Sequence, residues 1–202
     1  ENLAQEAILA QVFGLLVQAH YQTTPRDLQY MLDSSSVIIV AECGQSIVGV
    51  CQLIPEGELR AELTAAIIAG QRRPKGHLVA QRLAHIKADS CYGQCSSYRV
   101  NRIAVVPETR RQGIGRRLLQ VAEQFANDNG AAYISSSFAA TSDVIPFWLR
   151  NGFKALWLGS KRDASSGAYS LIVAKALSEE MELNFNIMQQ ELLQGLSLTT
   201  RH

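Results

Sequence analysis

The sequence predicts an α/β fold with a mixed sheet and helices packed against it, and three stretches carry that prediction. Residues 98–128 read as a strand, a tight basic turn and an amphipathic helix. Before them, two runs rich in β-branched residues meet around Gly44-Gln45, which is typical of a β-hairpin. After them, residues 131–175 alternate between strand-like and helix-like patterns. This order favours a sheet that draws strands from both halves of the chain.

The first half of the chain is assigned from its apolar spacing and its helix-ending residues. The predicted elements are helices over residues 1–20, 24–32 and 58–69 and strands over residues 37–41 and 47–54. Thr24 is a suitable cap for the second helix, and Pro25 fits its first turn. Residues 55–57 should turn the chain out of the sheet, and Gly70 should end the third helix. Residues 83–97 are polar and carry two cysteines, so we expect a loop there.

The central turn has the composition of a binding loop for a bulky anion. Arg110, Gly113 and Gly115 form R-x-x-G-x-G between a strand that ends at Pro107 and a helix whose apolar face starts at Leu118. Glycine lets the backbone approach a large group, and the first-turn N–H groups of a helix have no internal partner. With the helix dipole and the neighbouring arginines, these groups predict a pyrophosphate site. A basic helix cap with two packing glycines would give the same short motif.

The second half of the chain is predicted by the same rules. Its elements are strands over residues 131–138, 154–159 and 168–175 and helices over residues 143–151 and 178–196, with a loop at residues 161–167. Ser178 should cap the last helix, with Glu179 and Glu180 in its first turn. The first of these strands, AAYISSSF, has a serine-rich centre, whereas buried parallel strands are usually aliphatic. An edge position in the sheet would explain those serines.

The composition limits the kinds of partner. The chain has 202 residues, of which 47% are hydrophobic and 18% are charged, and its formal net charge is +1. This is enough for the core of one domain with an accessory piece, and it argues against a protein that coats nucleic acid through its overall charge. Contact with nucleic acid would need a local basic patch. No apolar run approaches the roughly 20 residues of a membrane span, and no signal peptide is visible. Because the chain begins with Glu1, we expect it to be part of a longer protein.

Four cysteines lie in the first half of the chain, Cys43, Cys51, Cys91 and Cys95. The separation of Cys91 and Cys95 would suit a metal, but the other two lie in the predicted hairpin and supply no second ligand pair. We therefore expect reduced thiols, no metal site and a cytoplasmic protein.

The central motif resembles the acetyl-CoA loop of the GNAT acetyltransferases, [RQ]-x-x-G-x-[GA], which joins a strand to a helix. The predicted helix at residues 143–151 ends in x-N-G-F, which also fits that family. Four segments together resemble the acetyltransferase domain of the tRNA-Met cytidine acetyltransferases: RRPKGHLVAQ, RIAVVPETRRQGIG, FW-x-R-N-G-F and R-D-A-S-S-G-x-Y. The resemblance extends from about residue 20 to residue 178. Enzymes of this family make acetylcytidine at the wobble position.

The resemblance implies a GNAT fold with a splayed central strand pair. The gap between those strands receives the pantetheine arm of acetyl-CoA, next to the serine-rich strand. The acetyltransferase domain would cover residues 1–177, with N-terminal helices in residues 1–35 and a family-specific helix and basic loop in residues 55–96. Residues 178–202 would form a C-terminal helix and the start of a tail. In the family this domain follows an ATP-driven helicase-like module, and no nucleotide-binding loop occurs in this sequence.

The resemblance also implies roles for individual positions. Backbone groups of Ile103, Ala104 and Val105 should line the pantetheine and point one N–H at the thioester oxygen. The residues expected at the pyrophosphate are Arg110, Arg111, Gln112, Gly113, Ile114, Gly115 and Arg116. Asp143 and Arg150 should make further contacts with coenzyme A, where the family's acid resembles the longer glutamate.

Candidate residues for the substrate side lie elsewhere in the sequence. Tyr169 begins the last strand, where many GNAT enzymes place the acid for the departing thiolate; a buried structural tyrosine is the alternative. His77 beside the basic loop would touch or deprotonate the substrate, or be an ordinary loop residue. The residues expected to contact tRNA are Arg72, Arg73, Lys75 and Arg162. A solvated surface connection is the other interpretation of the basic loop.

The chemistry of the acceptor separates the possible functions. Direct attack on a thioester needs no enzyme nucleophile, so the cysteines need not take part. A lysine amine, with a pKa of about 10.4, must first lose a proton, whereas the exocyclic amine of cytosine is already neutral. The central strand contains no glutamate or histidine, which favours the nucleobase. We therefore expect acetyl-CoA-dependent acetylation of the wobble cytidine of tRNA-Met. A protein or small-molecule amine acetyltransferase and a non-catalytic, acetyl-CoA-responsive RNA-binding domain are the alternatives.

Overall fold

The computed structural model describes residues 2–19, 24, 26, 35–162, 164 and 166–199. Its helices are α1 (Asn2–Ala19), α2 (Ala61–Ile68), α3 (Leu78–Lys87), α4 (Cys91–Gln94), α5 (Ile114–Asp128), α6 (Ile145–Arg150) and α7 (Glu179–Thr199), with a 3₁₀ turn at Pro107–Thr109. Its strands are β1 (Val37–Cys43), β2 (Ser46–Gly57), β3 (Ser96–Val105), β4 (Tyr133–Ala139), β5 (Lys154–Arg162) and β6 (Tyr169–Ala176). In the described part of the chain, no helix combines the length and the apolar character that crossing a membrane requires.

The strands form one six-stranded sheet in the order β1-β2-β3-β4-β6-β5, which confirms the predicted α/β fold. β1 and β2 pair antiparallel from Val37 opposite Leu53 to Cys43 opposite Ser46, so the predicted hairpin is present. Gly44 completes its turn with a left-handed φ of +63°. β6 runs antiparallel to both of its neighbours, β4 and β5.

The chain divides into two compact units, and the first consists of Glu1–Ile54 and Val100–Phe125. Its core joins α1 to the hairpin and to the end of β3, with Leu16 fully buried. The side-chain oxygen of Gln11 accepts a hydrogen bond of 3.1 Å from the backbone N–H of Ile47. The second half of the predicted apolar stripe, at Val12, Leu15 and Leu16, therefore packs against the hairpin, whereas Ile8 is exposed.

The second unit consists of Pro55–Arg99 and Ala126–His202. Tyr133 and Phe185 are fully buried at its centre, edge to face, with ring centroids 5.5 Å apart. Phe185 belongs to α7, and Met181 of the same helix is also buried in this core. The last helix therefore contributes directly to the stability of the second unit.

The loop predicted for residues 83–97 is wrong. The segment contains the second half of α3, the whole of α4 and the start of β3. Val79, Leu83 and Ala84 recur at helical spacing and are fully buried, so their apolar stripe determines the structure more than the polar residues between them do.

The turn predicted at residues 55–57 is also wrong, because β2 continues through Pro55 to Gly57. Proline is compatible with a strand where its missing N–H is not needed for the ladder. The chain turns at Glu58, which has a left-handed φ of +54° and donates its N–H to the carbonyl oxygen of Cys95 at 3.2 Å.

Two other predictions differ in extent or cannot be compared. β5 reaches Arg162, so the loop predicted at residues 161–167 begins later than expected. The helix predicted for residues 24–32 lies, apart from Thr24 and Arg26, outside the described residues.

Candidate functional site

The predicted pyrophosphate loop joins β3 to α5 in the first unit through tight turns. Thr109 donates its backbone N–H and its hydroxyl to the carbonyl oxygen of Val106, at 3.0 and 3.1 Å, which closes the 3₁₀ turn. Arg111 and Gly113 then adopt left-handed φ values of +62° and +81°. Glycine does this without strain, whereas the conformation is uncommon for a residue such as arginine. We call residues 110–116 the anion loop.

The end of the anion loop presents backbone donors. The N–H of Arg117 bonds to the carbonyl oxygen of Gly113 at 3.0 Å. The N–H groups of Ile114, Gly115 and Arg116 come before it in the first turn of α5, where no acceptor within the helix is available. A Cβ at Gly113 would meet no atom within 4 Å, so the space at the loop is open. This helix end is therefore suited to bind an anion.

Arginine side chains add positive charge to the same loop. Arg110 donates its Nε–H to the carbonyl oxygen of Val105 at 3.2 Å, which holds it at the end of β3. Arg111 and Arg116 are exposed. Arg117 is exposed too, but it lines a groove of about 550 Å³ along β1. The arginines within the anion loop therefore add positive charge close to the open helix end in the chain.

The other predicted coenzyme residues of the first unit lie next to this loop in the chain. Ile103, Ala104 and Val105 are the last residues of β3; Ala104 is buried and the other two are half-buried. Gln112 is exposed within the anion loop. Their contacts with coenzyme stay a prediction.

Sequence reasoning missed Gly49, which positions α5. A Cβ built on Gly49 would lie 2.9 Å from Cγ2 of Ile114 and 3.0 Å from Cδ1 of Leu118. Because these distances are too short for carbon atoms, only glycine lets the first turn of α5 approach β2 this closely. The available signal was a glycine inside a strand, which often marks a close approach of another element.

In the second unit, a buried carboxylate holds the start of α3. Oε2 of Glu56 accepts the backbone N–H groups of Val79 and Ala80 at 3.0 and 3.1 Å. Oε1 pairs with Nε of Arg99 at 2.6 Å, and the Glu56 side chain is fully buried. Glu56 therefore acts as a distant cap for this helix, where the dipole favours a negative charge.

His77 makes a structural contact at the same place. Its Nδ1 accepts the backbone N–H of Gly57 at 3.0 Å. The neutral ring therefore carries its proton on Nε2, which is then a donor and offers no lone pair. A general base needs that lone pair. The catalytic role of His77 stays a prediction, and this contact favours hydrogen-bond donation over proton removal.

The predicted RNA-contact residues separate into two groups. Arg72 and Arg73 line a pocket of about 350 Å³ beside α2 and α3, together with Arg82 and His85. We call this cavity the basic pocket. Lys75 is exposed and is not among the residues that line it. Arg82 was missed because no helix was predicted where α3 lies.

Arg162 and Tyr169, predicted in different roles, lie together. They face each other across β5 and β6, and the guanidinium carbon of Arg162 lies 5.5 Å from the centroid of the Tyr169 ring. Tyr169 is 37% exposed, so it is not a buried structural tyrosine. Its carbonyl oxygen accepts the N–H of Ala140 at 2.8 Å, which fixes its backbone.

Asp143 lies just before α6, Arg150 is the last residue of α6, and both are exposed. A hydrogen bond from the side chain of Thr141, and then one from its own backbone N–H, lowers the pKa of the Asp143 carboxyl. The amide of Asn151 donates to the carbonyl oxygen of Phe147 at 2.7 Å, which closes the end of α6. The contacts of Asp143 and Arg150 with coenzyme A stay a prediction.

The serines of β4 are buried. β4 lies between β3 and β6 in the sheet, so the edge position considered for it is wrong. Ser135 and Ser136 are 1% and 4% exposed. Among the described residues, the hydroxyl of Ser135 has no hydrogen-bond partner. An unmet buried hydroxyl costs about 1–3 kcal/mol, and a partner from a bound group would offset that cost.

Two N-acetyltransferases of solved structure share this fold. The ribosomal-protein-S18-alanine N-acetyltransferase from Escherichia coli matches with a TM-score of 0.58 over 85% of this chain and 89% of that chain, at 13% identity. The Drosophila melanogaster polyamine N-acetyltransferase matches with a TM-score of 0.58 over 86% of this chain and 96% of that chain, at 16% identity. At these identities the likeness shows the fold alone, which this chain shares with these two enzymes.

The sequence comparison is more specific. The family described as GNAT acetyltransferase 2 matches residues 11–132, and the chain belongs to it. The tRNA(Met) cytidine acetyltransferase TmcA of Vibrio cholerae is 45% identical over 176 residues, which cover 87% of this chain and 24% of that protein. The TmcA of Saccharolobus islandicus is 34% identical over 209 residues, which cover 100% of this chain and 28% of that protein. The chain thus spans about a quarter of the length of these curated relatives.

Proposed function

We propose that this chain binds acetyl-CoA and transfers its acetyl group to the exocyclic amine of the wobble cytidine of tRNA-Met. The observation that carries the proposal is the anion loop, whose left-handed turn opens onto the N-terminus of α5. The acceptor is proposed from the names of the relatives. Because the chain spans only about a quarter of their length, we also propose that an ATP-driven helicase-like module of the same longer protein assists the reaction.

The chemistry of the anion loop fits the diphosphate of coenzyme A. Arg110, Arg111 and Arg116 offer guanidinium groups, which bind phosphate oxygens through parallel hydrogen bonds. The N–H groups of the first turn of α5 supply further hydrogen-bond donors. These donors are neutral, and the helix itself offers them no acceptor. The left-handed Arg111 is locally strained, and such strain is often found where a backbone holds a ligand.

Acetyl-CoA supplies the acetyl group as an activated thioester, which the acceptor amine attacks directly. Burial raises the pKa values of the Cys51 and Cys95 thiols to about 12. Neither thiol therefore forms a thiolate near neutral pH, and both are poor nucleophiles. For these two thiols, this supports direct transfer over an acetyl-cysteine intermediate.

Proton transfer is assigned to Tyr169. Its exposed phenol can donate a proton to the thiolate that leaves, and the guanidinium of Arg162 lies over its ring. The exocyclic amine of cytosine is neutral before the reaction, so it needs no strong base, and the proton that it loses as the amide forms restores the Tyr169 phenol. The geometry of His77, whose lone pair is occupied by Gly57, is in agreement with such an acceptor.

The test is mass spectrometry of nucleosides from tRNA-Met incubated with the chain and deuterated acetyl-CoA. Deuterated acetylcytidine should form, and Gly113→Glu should abolish it because a carboxylate in the anion loop repels the diphosphate. Transfer of the label to a free amine or a peptide, with none to cytidine, would contradict the proposed acceptor. If no label is transferred while acetyl-CoA binds, adding the rest of the longer protein tests the proposed helicase-like partner.

A further inference from the structure

We propose that the basic pocket binds one phosphodiester of the RNA acceptor and that Arg82 is a binding residue for it. This inference rests on the proposed function and gives the RNA a defined place of contact on the second unit. The sequence alone indicated only a basic loop at residues 72–75, without a cavity and without Arg82.

The first argument is the charge of the basic pocket. Three arginines line it, Arg72, Arg73 and Arg82, and no carboxylate does. Burial lowers the pKa of Arg82, and the neighbouring charge of Arg73 lowers it further. Within the described ranges, none of these arginines forms an ion pair with a carboxylate. An anion in the basic pocket would therefore relieve the repulsion between them.

The second argument is the way in which Arg82 is held. Its guanidinium carbon lies 4.8 Å from the centroid of the Trp157 ring, so one face of the planar group stacks on the indole. Arg82 also lines the basic pocket, where its N–H edge can bind two phosphate oxygens at once. Since stacking has already restricted the side chain, binding loses little further entropy.

The third argument is that hydrogen bonds hold the segment that carries Arg72 in place. The side-chain amide of Gln81 donates to the carbonyl oxygens of Pro74 and Gly76, at 3.1 and 2.7 Å. The backbone N–H of Arg72 donates to the carbonyl oxygen of Ala66 at 3.3 Å. These bonds hold the basic loop against α2 and α3 before any ligand arrives.

His85 favours RNA over other sources of phosphate. Its Nδ1 lies 3.2 Å from the carbonyl oxygens of both Ile67 and Ile68, and because carbonyls only accept, this nitrogen carries the proton. The Nε2 of His85 is then free to accept a hydrogen bond from a ribose 2′-hydroxyl, which DNA lacks. The phosphates of coenzyme A have the anion loop as their site.

The experiment is fluorescence anisotropy with a labelled anticodon stem-loop RNA of tRNA-Met, titrated over a range of KCl concentrations. Arg82→Gln should weaken binding on the order of tenfold and reduce the salt dependence by about one counterion. Arg60→Gln is the matched control, because Arg60 is an exposed arginine of the same unit outside the basic pocket. It should leave the affinity within about twofold of the wild type. The DNA of the same sequence should bind more weakly than the RNA.

If thermal melting shows that Arg82→Gln does not fold, Arg82→Lys is measured in its place. It keeps the charge but loses the planar edge, so an intermediate loss of affinity is expected. Equal RNA affinities of Arg82→Gln and Arg60→Gln would overturn the proposal, as would a wild type that binds no RNA. A loss of acetyl-CoA affinity in Arg82→Gln, with RNA binding unchanged, would assign the basic pocket to a coenzyme phosphate and also overturn it. Failure of the wild type to bind acetyl-CoA would contradict the proposed function, while the RNA titrations would still decide the basic pocket.

Discussion

Replacement of Glu56 by glutamine tests how the second unit holds the start of α3. The substitution hardly changes the shape of the side chain but removes a fully buried negative charge. The carboxylate accepts hydrogen bonds from Val79, Ala80 and Arg99. Glutamine has one acceptor oxygen and one NH₂ group, so it can serve α3 or Arg99 but not both. Its NH₂ group must then face a buried donor.

The expected cost follows from what is left without a partner. Removal of one member of a buried ion pair costs about 3–5 kcal/mol. Glutamine keeps one acceptor, so we expect the lower value, about 3 kcal/mol. For a chain of this size, that loss lowers the melting temperature by roughly 6–12 °C.

The assay is urea unfolding followed by circular dichroism. Glu58→Gln is the matched control, because the same chemical change two residues further on affects an exposed side chain and should cost less than about 0.5 kcal/mol. Arg99→Met should be much less harmful in the Glu56→Gln background than in the wild type, since the two residues share one interaction. A loss below about 1 kcal/mol for Glu56→Gln, or strictly additive effects of the two substitutions, would refute this reasoning.

Two further predictions concern Gly49, which positions the helix behind the anion loop, and Tyr169, the proposed proton donor. Gly49→Ala should cost about 1–3 kcal/mol in urea unfolding and weaken acetyl-CoA binding, because its Cβ would lie 2.9 Å from Ile114. Gly14→Ala, a glycine of α1 with open space around it, should instead stabilise the chain by about 1 kcal/mol; similar effects of both would contradict the role of Gly49. Tyr169→Phe should lower kcat about 100-fold while acetyl-CoA affinity and thermal stability stay unchanged. An unchanged kcat would exclude Tyr169 as the acid.

Features that depend on neighbouring residues could be predicted from the sequence. The anion loop is one of them, because R-x-x-G-x-G lies between a strand and a helix and Gly113 has the left-handed φ that glycine permits. The cap of α7 is another: the N–H of Met181 bonds to the hydroxyl of Ser178 at 3.3 Å. In both cases, the signal and the structure lie within a few residues of each other.

Features that depend on distant residues could not be predicted in this way. Glu56 caps α3 across an intervening helix and the basic loop, and no local pattern indicates such a cap. Arg82, on α3, gains its position from stacking on Trp157, which belongs to the distant strand β5. Position 49 requires glycine only because α5 packs closely against β2. Tertiary packing decides each of these roles, and hydrophobic periodicity carries no information about it.

The central claim is that the anion loop binds acetyl-CoA, and calorimetric titration of the chain with acetyl-CoA tests it most directly. Gly113→Glu places a carboxylate beside the diphosphate, where repulsion of roughly 4 kcal/mol at close range should weaken binding more than about 100-fold. Gly44→Glu is the matched control, because Gly44 also has a left-handed φ and open space but lies in the hairpin turn. The account predicts micromolar binding by the wild type and by Gly44→Glu, and its loss in Gly113→Glu. No binding by a folded wild type, or equal binding by all three proteins, would contradict it.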